Sequence, residues 1–259
     1  MLNPPTQYAT DQNLAARQHF WTVSRREPTF DLFPWVLDRA GLHAESSADV
    51  VDLGCGNGRY EQLLSERHHR GMCIALDISM GMLSDVTAAA RVQGDAQRLP
   101  LRSNSIDVVL APHMLYHVPN VAQALGEAKR VLRADGSLVA ITNGQANLAG
   151  LAAIVQDAVG NEWQMRQPAD EHFSLENGGA QLSAVFSTVE RVDCPRSDVV
   201  VTDIEAFTGY VASIADHYQD QVNVPWNDVV EGARARCADC LATDGELRIP
   251  TAAGAFICR

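Results

Sequence analysis

The amino-acid sequence predicts an α/β fold in which helices cover both faces of a mostly parallel sheet. Between about residues 48 and 145, short apolar runs alternate with helix-like stretches. This alternation is typical of parallel strands joined by crossover helices. The runs are apolar at nearly every position rather than at every second one, which is typical of strands buried on both faces.

Two helices are predicted before the first strand. The stretch "TDQNLAARQHFWTVSR" begins with polar residues and continues with apolar residues at helical spacing. In "PTFDLFPWVLDRAGL", Pro34 suits a first helical turn and Gly41 suits the end of a helix. Residues 1–45 are therefore predicted to form an N-terminal helical cap.

Five strands and the helices between them are predicted in the next segment, residues 46–146. The strands are "DVVDLG", "GMCIALDI", "VQGDA", "IDVVLA" and "SLVAITN". The helices are "RYEQLLSERHHR", "MGMLSDVTAAARV" and "VAQALGEAKRVLR", the last closed by "ADG".

Residues 147–259 are predicted to add the remaining core strands and inserted lid helices to the same domain. The helical stretches are "NLAGLAAIVQDAVG", "TDIEAFTGYVASIADHYQDQ" and "WNDVVEGARARCADCLAT". The closing stretch "ELRIPTAAGAFICR" is predicted to be a strand or hairpin with a turn at Gly254. The sheet does not need the late helices, so we expect them to cover it.

Composition excludes several classes of function. The chain has 259 residues and a formal net charge of −12, which disfavours a nucleic-acid partner. No apolar run reaches membrane-spanning length, and the first residues lack signal-peptide features, so we expect a cytoplasmic protein. Cys237 and Cys240 form a CxxC without further ligands at metal spacing, and we expect a helix face and no metal.

The stretch "VVDLGCGNGRY" places Gly54, Gly56 and Gly58 directly after the first strand and before a helix. These glycines mark either a tight turn or a surface that a ligand touches closely. In open parallel sheets, ligands bind beyond the carboxyl ends of the strands, where the helix that follows presents unpaired N–H groups.

Two acids follow at the ends of the next strands. Asp77 stands where a ribose-binding carboxylate is expected, or it caps the following helix. Asp95 either accepts from an adenine amino group or is an ordinary turn residue. The GxGxG spacing differs from the GxGxxG of dinucleotide sites, and Asp52 beside it suits a cationic amine and sulfonium better than a pyrophosphate. A nicotinamide oxidoreductase is the alternative.

These residues, with "ALDISMGML", "GDAQRLPLRSNSIDVVLAPHMLYHV" and "RVLRADGSLVAITN", resemble the class I S-adenosylmethionine-dependent methyltransferases. The likeness covers about residues 48–145 and is greatest to small-molecule enzymes of the actinobacterial natural-product type. It implies a Rossmann-like sheet of seven strands under a helical lid, with "GAFICR" as an antiparallel strand. It also implies S-adenosylmethionine as cofactor and S-adenosylhomocysteine as product.

The resemblance also implies the cofactor site. The methionine part is expected on the glycine turn near Asp52, the ribose at Asp77, the adenine near the third strand, and the sulfonium beyond the fourth strand. Pro112 departs from the small or polar residue usual at its position. The full predicted set is Tyr8, Arg17, Asp52, Gly54, Cys55, Gly56, Asn57, Asp77, Ile78, Met82, Asp95, Ala96, Ala111 and Pro112.

His113 and His117, in "PHMLYHV", are the candidate catalytic residues, because an imidazole can act as a base near neutral pH. The expected reaction is methyl transfer to an oxygen or nitrogen of a small-molecule acceptor, in secondary metabolism. The alternatives are methylation of a carbon in a quinone-like acceptor and a binding protein without catalysis. The expected partner is the acceptor, without nucleic acid or membrane, in a monomer or homodimer.

Overall fold

The structure is a computed structural model that describes residues 12–84, 86–88, 90–160, 163–165 and 172–259. Its strands are β1 (Arg25–Glu27), β2 (Val50–Leu53), β3 (Cys73–Asp77), β4 (Ala90–Gln93), β5 (Ile106–Pro112), β6 (Leu132–Asn143), β7 (Val189–Asp193), β8 (Asp198–Val201), β9 (Leu247–Pro250) and β10 (Ala253–Cys258). Its helices are α1 (Gln12–Val23), α2 (Leu32–Arg39), α3 (Arg59–Glu66), α4 (Met80–Leu83), α5 (Val121–Val131), α6 (Ala149–Val159), α7 (Gly178–Ser183), α8 (Ile204–Ser213), α9 (Ala215–Tyr218) and α10 (Trp226–Asp244).

The main sheet has seven strands in the order β4-β3-β2-β5-β6-β10-β7. Neighbouring strands from β4 to β6 are parallel, whereas β10 runs antiparallel to both β6 and β7. The prediction of a mostly parallel seven-stranded sheet with "GAFICR" as its antiparallel strand is confirmed. Because β2 and β5 are adjacent and chain connections diverge from them in opposite directions, the strand order reverses there.

Successive side chains of each central strand point to opposite faces of the sheet, and both faces are covered. Val51 and Val109 belong to a core that includes α5, while Val50 and Val108 belong to a core that includes α2 and α3. All four valines are buried. This double burial explains why the strands are apolar at nearly every position.

A second layer of helices forms its own hydrophobic core above the sheet. Phe20 from α1, Val155 from α6, Phe207 from α8 and Val229 from α10 are all fully buried there. Helix α1 packs on α8, and α10 packs on α6 and α8. We call this layer, formed by α1, α6, α8, α9 and α10 with the small sheet described next, the lid.

The lid contains a three-stranded antiparallel sheet that the sequence did not predict. Its order is β1-β8-β9. The expected hairpin turn at Gly254 is wrong, because β9 pairs with β8 while β10 enters the main sheet. Gly254 lies inside β10, opposite Thr142 and Asp193, and a Cβ there would lie 2.9 Å from the Val192 carbonyl oxygen.

Two predicted boundaries are also wrong. The helix after β3 ends at Leu83, and the chain is extended again from Ala90, where β4 pairs with β3. Strand β6 begins at Leu132 rather than at Ser137, and the "ADG" turn is a bulge inside it. Leu132 pairs with Ile106 and Ser137 with Val108, so the residues between them are looped out of register.

Cys237 and Cys240 lie on α10, as expected of a helix face. Cys237 is buried in the core of the lid, and Cys240 is half-buried. No group of three or more His, Cys, Asp or Glu side chains is arranged to hold a metal ion within the described ranges. Among the helices of the described residues, none has the length and apolar character to cross a membrane.

Candidate active site

The glycine turn, residues Gly54–Gly58, joins the end of β2 to the start of α3. Gly54, Gly56 and Gly58 have φ angles of +72°, +56° and +82°, a left-handed region that favours glycine. The N–H groups of Gly54 and Cys55 both donate to the Leu76 carbonyl oxygen, at 2.8 and 3.1 Å. The turn is therefore attached to the end of β3 on one side. On the other, a Cβ added at Gly54 would lie 2.7 Å from the Met114 Cβ.

Asp77, the last residue of β3, points at the glycine turn. Its carboxylate accepts a hydrogen bond from the Gly56 N–H at 3.0 Å and another from the Ser79 N–H at 2.8 Å. Burial raises its pKa, although these backbone donors act in the opposite direction. Asp77 is not the helix cap: the Ser79 hydroxyl caps α4 by accepting from the Met82 N–H at 3.3 Å.

The other predicted cofactor residues lie at the same edge of the sheet. Asp95 follows β4 and accepts from the Gln97 N–H at 2.8 Å, which is the hydrogen bond of a turn acid. Ala96 and Met82 are buried, and Ile78 is half-buried. Ala111 and Pro112 end β5 opposite Ala140 and Ile141 of β6. The fold thus brings together the carboxyl ends of β2, β3, β4 and β5.

Helix α1 lies over the glycine turn. The side-chain amides of Gln18 and Asn57 exchange two hydrogen bonds, at 2.7 and 3.1 Å. A Cβ added at Gly56 would lie 3.2 Å from the Leu14 Cδ2. Arg17 donates to the Ser213 carbonyl oxygen at 2.8 Å and to its hydroxyl at 3.2 Å, so its guanidinium joins α1 to α8. Tyr8 lies outside the described residues.

A cluster of aromatic rings follows the end of β5. His113, at the left-handed φ of +52°, is followed by Tyr116 and His117, whose rings lie 4.5 Å apart. The His217 ring, from α9 of the lid, stacks on His117 at 6.1 Å with an interplanar angle of 12°. His117 thus faces a lid residue whose position the sequence left open.

The three imidazoles of this cluster are neutral near pH 7. Burial lowers the pKa of His113 to about 4 and that of His217 to about 4. Burial and the neighbouring charges of His217 and Arg17 lower the pKa of His117 to about 3. All three residues nevertheless keep some accessible surface.

Asp52 and Glu61 form a pair of buried carboxyls behind the glycine turn. Asp52 is 0 % exposed and Glu61 is 6 % exposed. No N–H or O–H donor of another described residue forms a hydrogen bond with either carboxyl. The Glu61 backbone N–H acts on its own carboxyl and opposes the effect of burial. Each lies within hydrogen-bonding reach of the other, and burial together with the partner's charge raises the Asp52 pKa well above its usual value. Burial raises the pKa of Glu61 to about 7.

Sequence reasoning did not find Glu61, Gln18 or Ser213. A signal existed for Glu61, because it lies three residues before Leu64 and so on the apolar face of its helix. The bonds of Gln18 and Ser213 connect separate elements that are 39 and 196 residues apart in the chain. No local pattern identifies such partners.

Comparison with known proteins agrees with this geometry. Residues 51–140, from β2 to the middle of β6, match the family described as Methyltransferase domain. This segment of the chain is thus similar to a methyltransferase domain. The match spans the glycine turn, Asp77, Asp95 and both candidate histidines.

Two relatives of the methyltransferase domain come from bacteria. The malonyl-[acyl-carrier protein] O-methyltransferase of Methylovorus sp. is 35% identical over 131 residues, 46% of this chain and 44% of that protein. The demethylmenaquinone methyltransferase of Lactiplantibacillus plantarum is 36% identical over 117 residues, 41% of this chain and 49% of that protein. The chain thus spans about half the length of the curated relatives it matches.

The solved structures share the fold at lower identity. A phosphoethanolamine N-methyltransferase 2 of Haemonchus contortus, in complex with phosphomonomethylethanolamine and S-adenosylhomocysteine, aligns with a TM-score of 0.56 at 15% identity. The alignment covers 98% of this chain and 58% of that one. It extends the likeness of fold beyond the methyltransferase domain to the lid.

We expect Gly54→Ala to destabilise the protein more than Gly41→Ala. Both glycines have φ near +70°, so both substitutions incur a left-handed alanine, at a cost of roughly 1–2 kcal/mol. A Cβ at Gly41 meets nothing within 4 Å, whereas one at Gly54 meets Met114. The crowding should add about 1–3 kcal/mol for Gly54→Ala. Urea unfolding measures the difference, and equal losses would show that Met114 moves away freely.

We expect Glu61→Gln to raise the free energy of unfolding at pH 8 by ~1–3 kcal/mol, with little change at pH 5. The folded-state pKa of about 7 exceeds the usual 4.5, so the folded protein holds this proton more tightly than the unfolded chain. The stabilisation is present at low pH and is lost as the pH rises through about 7, whereas glutamine stays neutral throughout.

Urea unfolding at both pH values checks this difference. Glu66→Gln, an exposed position on the same helix, is the control and should change stability little at either pH. A gain from Glu61→Gln that is equal at pH 5 and pH 8 would show that ionisation of Glu61 is not its cause.

Proposed function

We propose that this protein transfers a methyl group from S-adenosylmethionine to an oxygen or nitrogen of a small-molecule acceptor. The observation that carries the proposal is the glycine turn of a methyltransferase domain, with the Asp77 carboxylate fixed against it by the Gly56 N–H. The S-adenosylhomocysteine in the nematode N-methyltransferase supports this choice of cofactor.

The residues present fit S-adenosylmethionine. Glycine at positions 54 and 56 leaves open the space that a Cβ would fill against Met114 and Leu14. Each oxygen of Asp77 accepts one backbone N–H and retains a lone pair for a ribose hydroxyl. The buried acids Asp52 and Glu61 favour a ligand with positive charge.

The remaining predicted residues are assigned to the other parts of the cofactor. Contacts with the adenine are proposed for Asp95, Ala96, Ile78 and Met82. A position beneath the sulfonium is proposed for Ala111 and Pro112. The bound cofactor supplies a methyl carbon on a positively charged sulfur.

The side chains after β5 are proposed to receive the acceptor. His113 and His117 are neutral, so each can accept a hydrogen bond from an acceptor O–H or N–H. With pKa values of about 4 and about 3, both are weak bases in the ligand-free protein. Their main contribution is therefore to orient the acceptor. The His217 ring closes the cluster from the lid and excludes water.

The nature of the acceptor is supported by charge and by the named relatives. A net charge of −12 disfavours nucleic acid as substrate. The relatives are named for an acyl-carrier-protein-linked malonyl group and for demethylmenaquinone. We place the acceptor among small metabolites, in secondary metabolism. The quinone relative favours a second candidate, transfer to carbon in a quinone-like acceptor.

Turnover of S-adenosylmethionine with a panel of phenols, carboxylic acids, amines and quinols tests the proposal. Formation of S-adenosylhomocysteine with one class supports it, and the position of the new methyl group in the product distinguishes transfer to oxygen, nitrogen or carbon. Calorimetry with NAD tests the alternative of an oxidoreductase. Binding of NAD but not of S-adenosylmethionine would overturn the proposal, and binding without turnover would indicate a non-catalytic protein.

We expect Asp77→Ala to weaken S-adenosylmethionine binding by about 1–3 kcal/mol, because ribose hydroxyls lose their acceptor. Asp77 also holds the Gly56 N–H, so calorimetry should be repeated with a cofactor analogue that lacks both ribose hydroxyls. With this analogue, Asp77→Ala should weaken binding clearly less than it does with S-adenosylmethionine. Equal losses for the two ligands would assign Asp77 to the turn alone.

We expect His117→Ala to lower kcat/KM by roughly 10- to 100-fold. This loss is smaller than most of the roughly 10²- to 10⁴-fold range that a general acid or base contributes to catalysis. The reason is that a neutral imidazole with a pKa of about 3 orients the acceptor rather than deprotonating it. His43→Ala, at an exposed position beside Asp38, is the control. Steady-state kinetics with the acceptor found in the panel give the measurement, and an unchanged kcat/KM would remove His117 from the site.

A further inference from the structure

The glycine turn is flanked by an acid on each side. Asp52 is the third residue of β2 and Glu61 the third residue of α3, and the turn connects these two elements. A carboxylate at a sheet end is ordinary in this setting. A second buried carboxyl aimed back at it from the helix adds a charge that no neighbouring donor of the described residues compensates.

The described surroundings of the pair contain no opposite charge. The Asp77 carboxyl at the end of β3 acts on the pair. The carboxyls of the pair in turn act on the Cys55 thiol in the turn, the Tyr60 hydroxyl on α3 and the Cys73 thiol at the start of β3. All are acids. In the described part of the chain, no lysine, arginine or histidine acts on either carboxyl. The buried Tyr60 hydroxyl also reaches no partner among the described residues.

Ionising both of two adjacent carboxyls that are buried without a cation is costly in free energy. A single proton held between the two carboxyls removes their repulsion. It also supplies a hydrogen-bond donor, which the neighbouring described residues do not supply. Such a proton belongs to the pair rather than to one residue. A cationic ligand bound at the turn reverses the balance, because an opposite charge nearby favours the ionised form.

We propose that Glu61 is a positioning residue of the cofactor site: it shares one proton with Asp52 in the empty site, and the pair releases that proton to solvent when the cationic cofactor binds. The inference rests on the proposed function, since it takes the ligand of the glycine turn to be S-adenosylmethionine. Glu61 acts through Asp52 and sets the charge that the ammonium and sulfonium groups meet.

The affinity for S-adenosylmethionine then depends on pH in a defined direction. At a pH below that at which the pair loses its shared proton, the cofactor must displace this proton. The affinity for the cofactor therefore falls as the pH falls. Wherever binding releases one proton, affinity falls by up to tenfold for each unit that the pH falls. The histidines of the acceptor side, with pKa values of about 3 to about 4, do not titrate near pH 7.

Calorimetry of S-adenosylmethionine binding to the full chain tests the proposal. Titrations at pH 7 in two buffers with different ionisation enthalpies count the protons released. The unmodified protein should release more protons than Glu61→Gln, by up to one, because the glutamine amide donates to Asp52 and keeps it ionised. Glu66→Gln, exposed on the same helix, should behave as the unmodified protein.

Other titrations are common to all the variants. The α-amino group of the cofactor titrates near 8, and Asp77 is unchanged, so both cancel in the comparison. The pH dependence of unfolding shows separately that Glu61→Gln is folded. Equal proton release by the unmodified protein and Glu61→Gln would overturn the role of Glu61. Binding without proton release would overturn the shared proton while leaving the methyltransferase proposal intact. No binding of S-adenosylmethionine at all would overturn both.

Discussion

The backbone path of the glycine turn is the constraint from which the rest of the site follows. Three residues with left-handed backbone conformation within five positions direct the chain out of β2 and into α3. Their path leaves N–H groups of the turn available to donate to neighbouring elements. The Leu76 carbonyl and the Asp77 carboxylate take those N–H groups, which joins the turn to β3. Asn57 joins the same turn to α1 through Gln18. The turn therefore fixes the position of α1 as well as that of the end of β3.

The two halves of the cleft differ in electrostatic character. Carboxyl groups dominate at the ends of β2 and β3, with Asp52, Glu61 and Asp77 all buried. Neutral imidazoles dominate beyond β5. Arg17 lowers the pKa of both His117 and His217 there, while Asp216 acts on His217 in the opposite direction. A ligand with two positive centres and an acceptor that offers a proton would each meet a suitable surface. This division is consistent with methyl transfer, in which the sulfur loses its charge as the new bond forms.

Strands β2, β3 and β5 and the second half of β6 were predictable because burial on both faces leaves a run of apolar residues that few other structures produce. The edge strand β4 instead alternates between half-buried and exposed residues. The glycine turn and Asp77 were predictable because positive φ and strand-end position are local properties. The small sheet β1-β8-β9 was not, since its strands have three or four residues and β1 pairs with β8 across more than 170 positions of the chain. His217 is likewise placed by distant packing, with its ring stacked on that of His117. Glu61 was hidden because its role depends on Asp52, on the other side of the turn.

The place of β10 inside the sheet has a consequence for the order of folding. Strand β7 has β10 as its neighbour in the described sheet, and β10 also covers the outer edge of β6. During synthesis from the N-terminus, β6 is complete long before Ala253–Cys258 emerges, so its buried edge stays unpaired while the lid residues are made. Unpaired edges of apolar strands readily join other chains. The nascent protein is thus most exposed to aggregation in this interval, and closing so distant a contact is expected to be the slow step of folding.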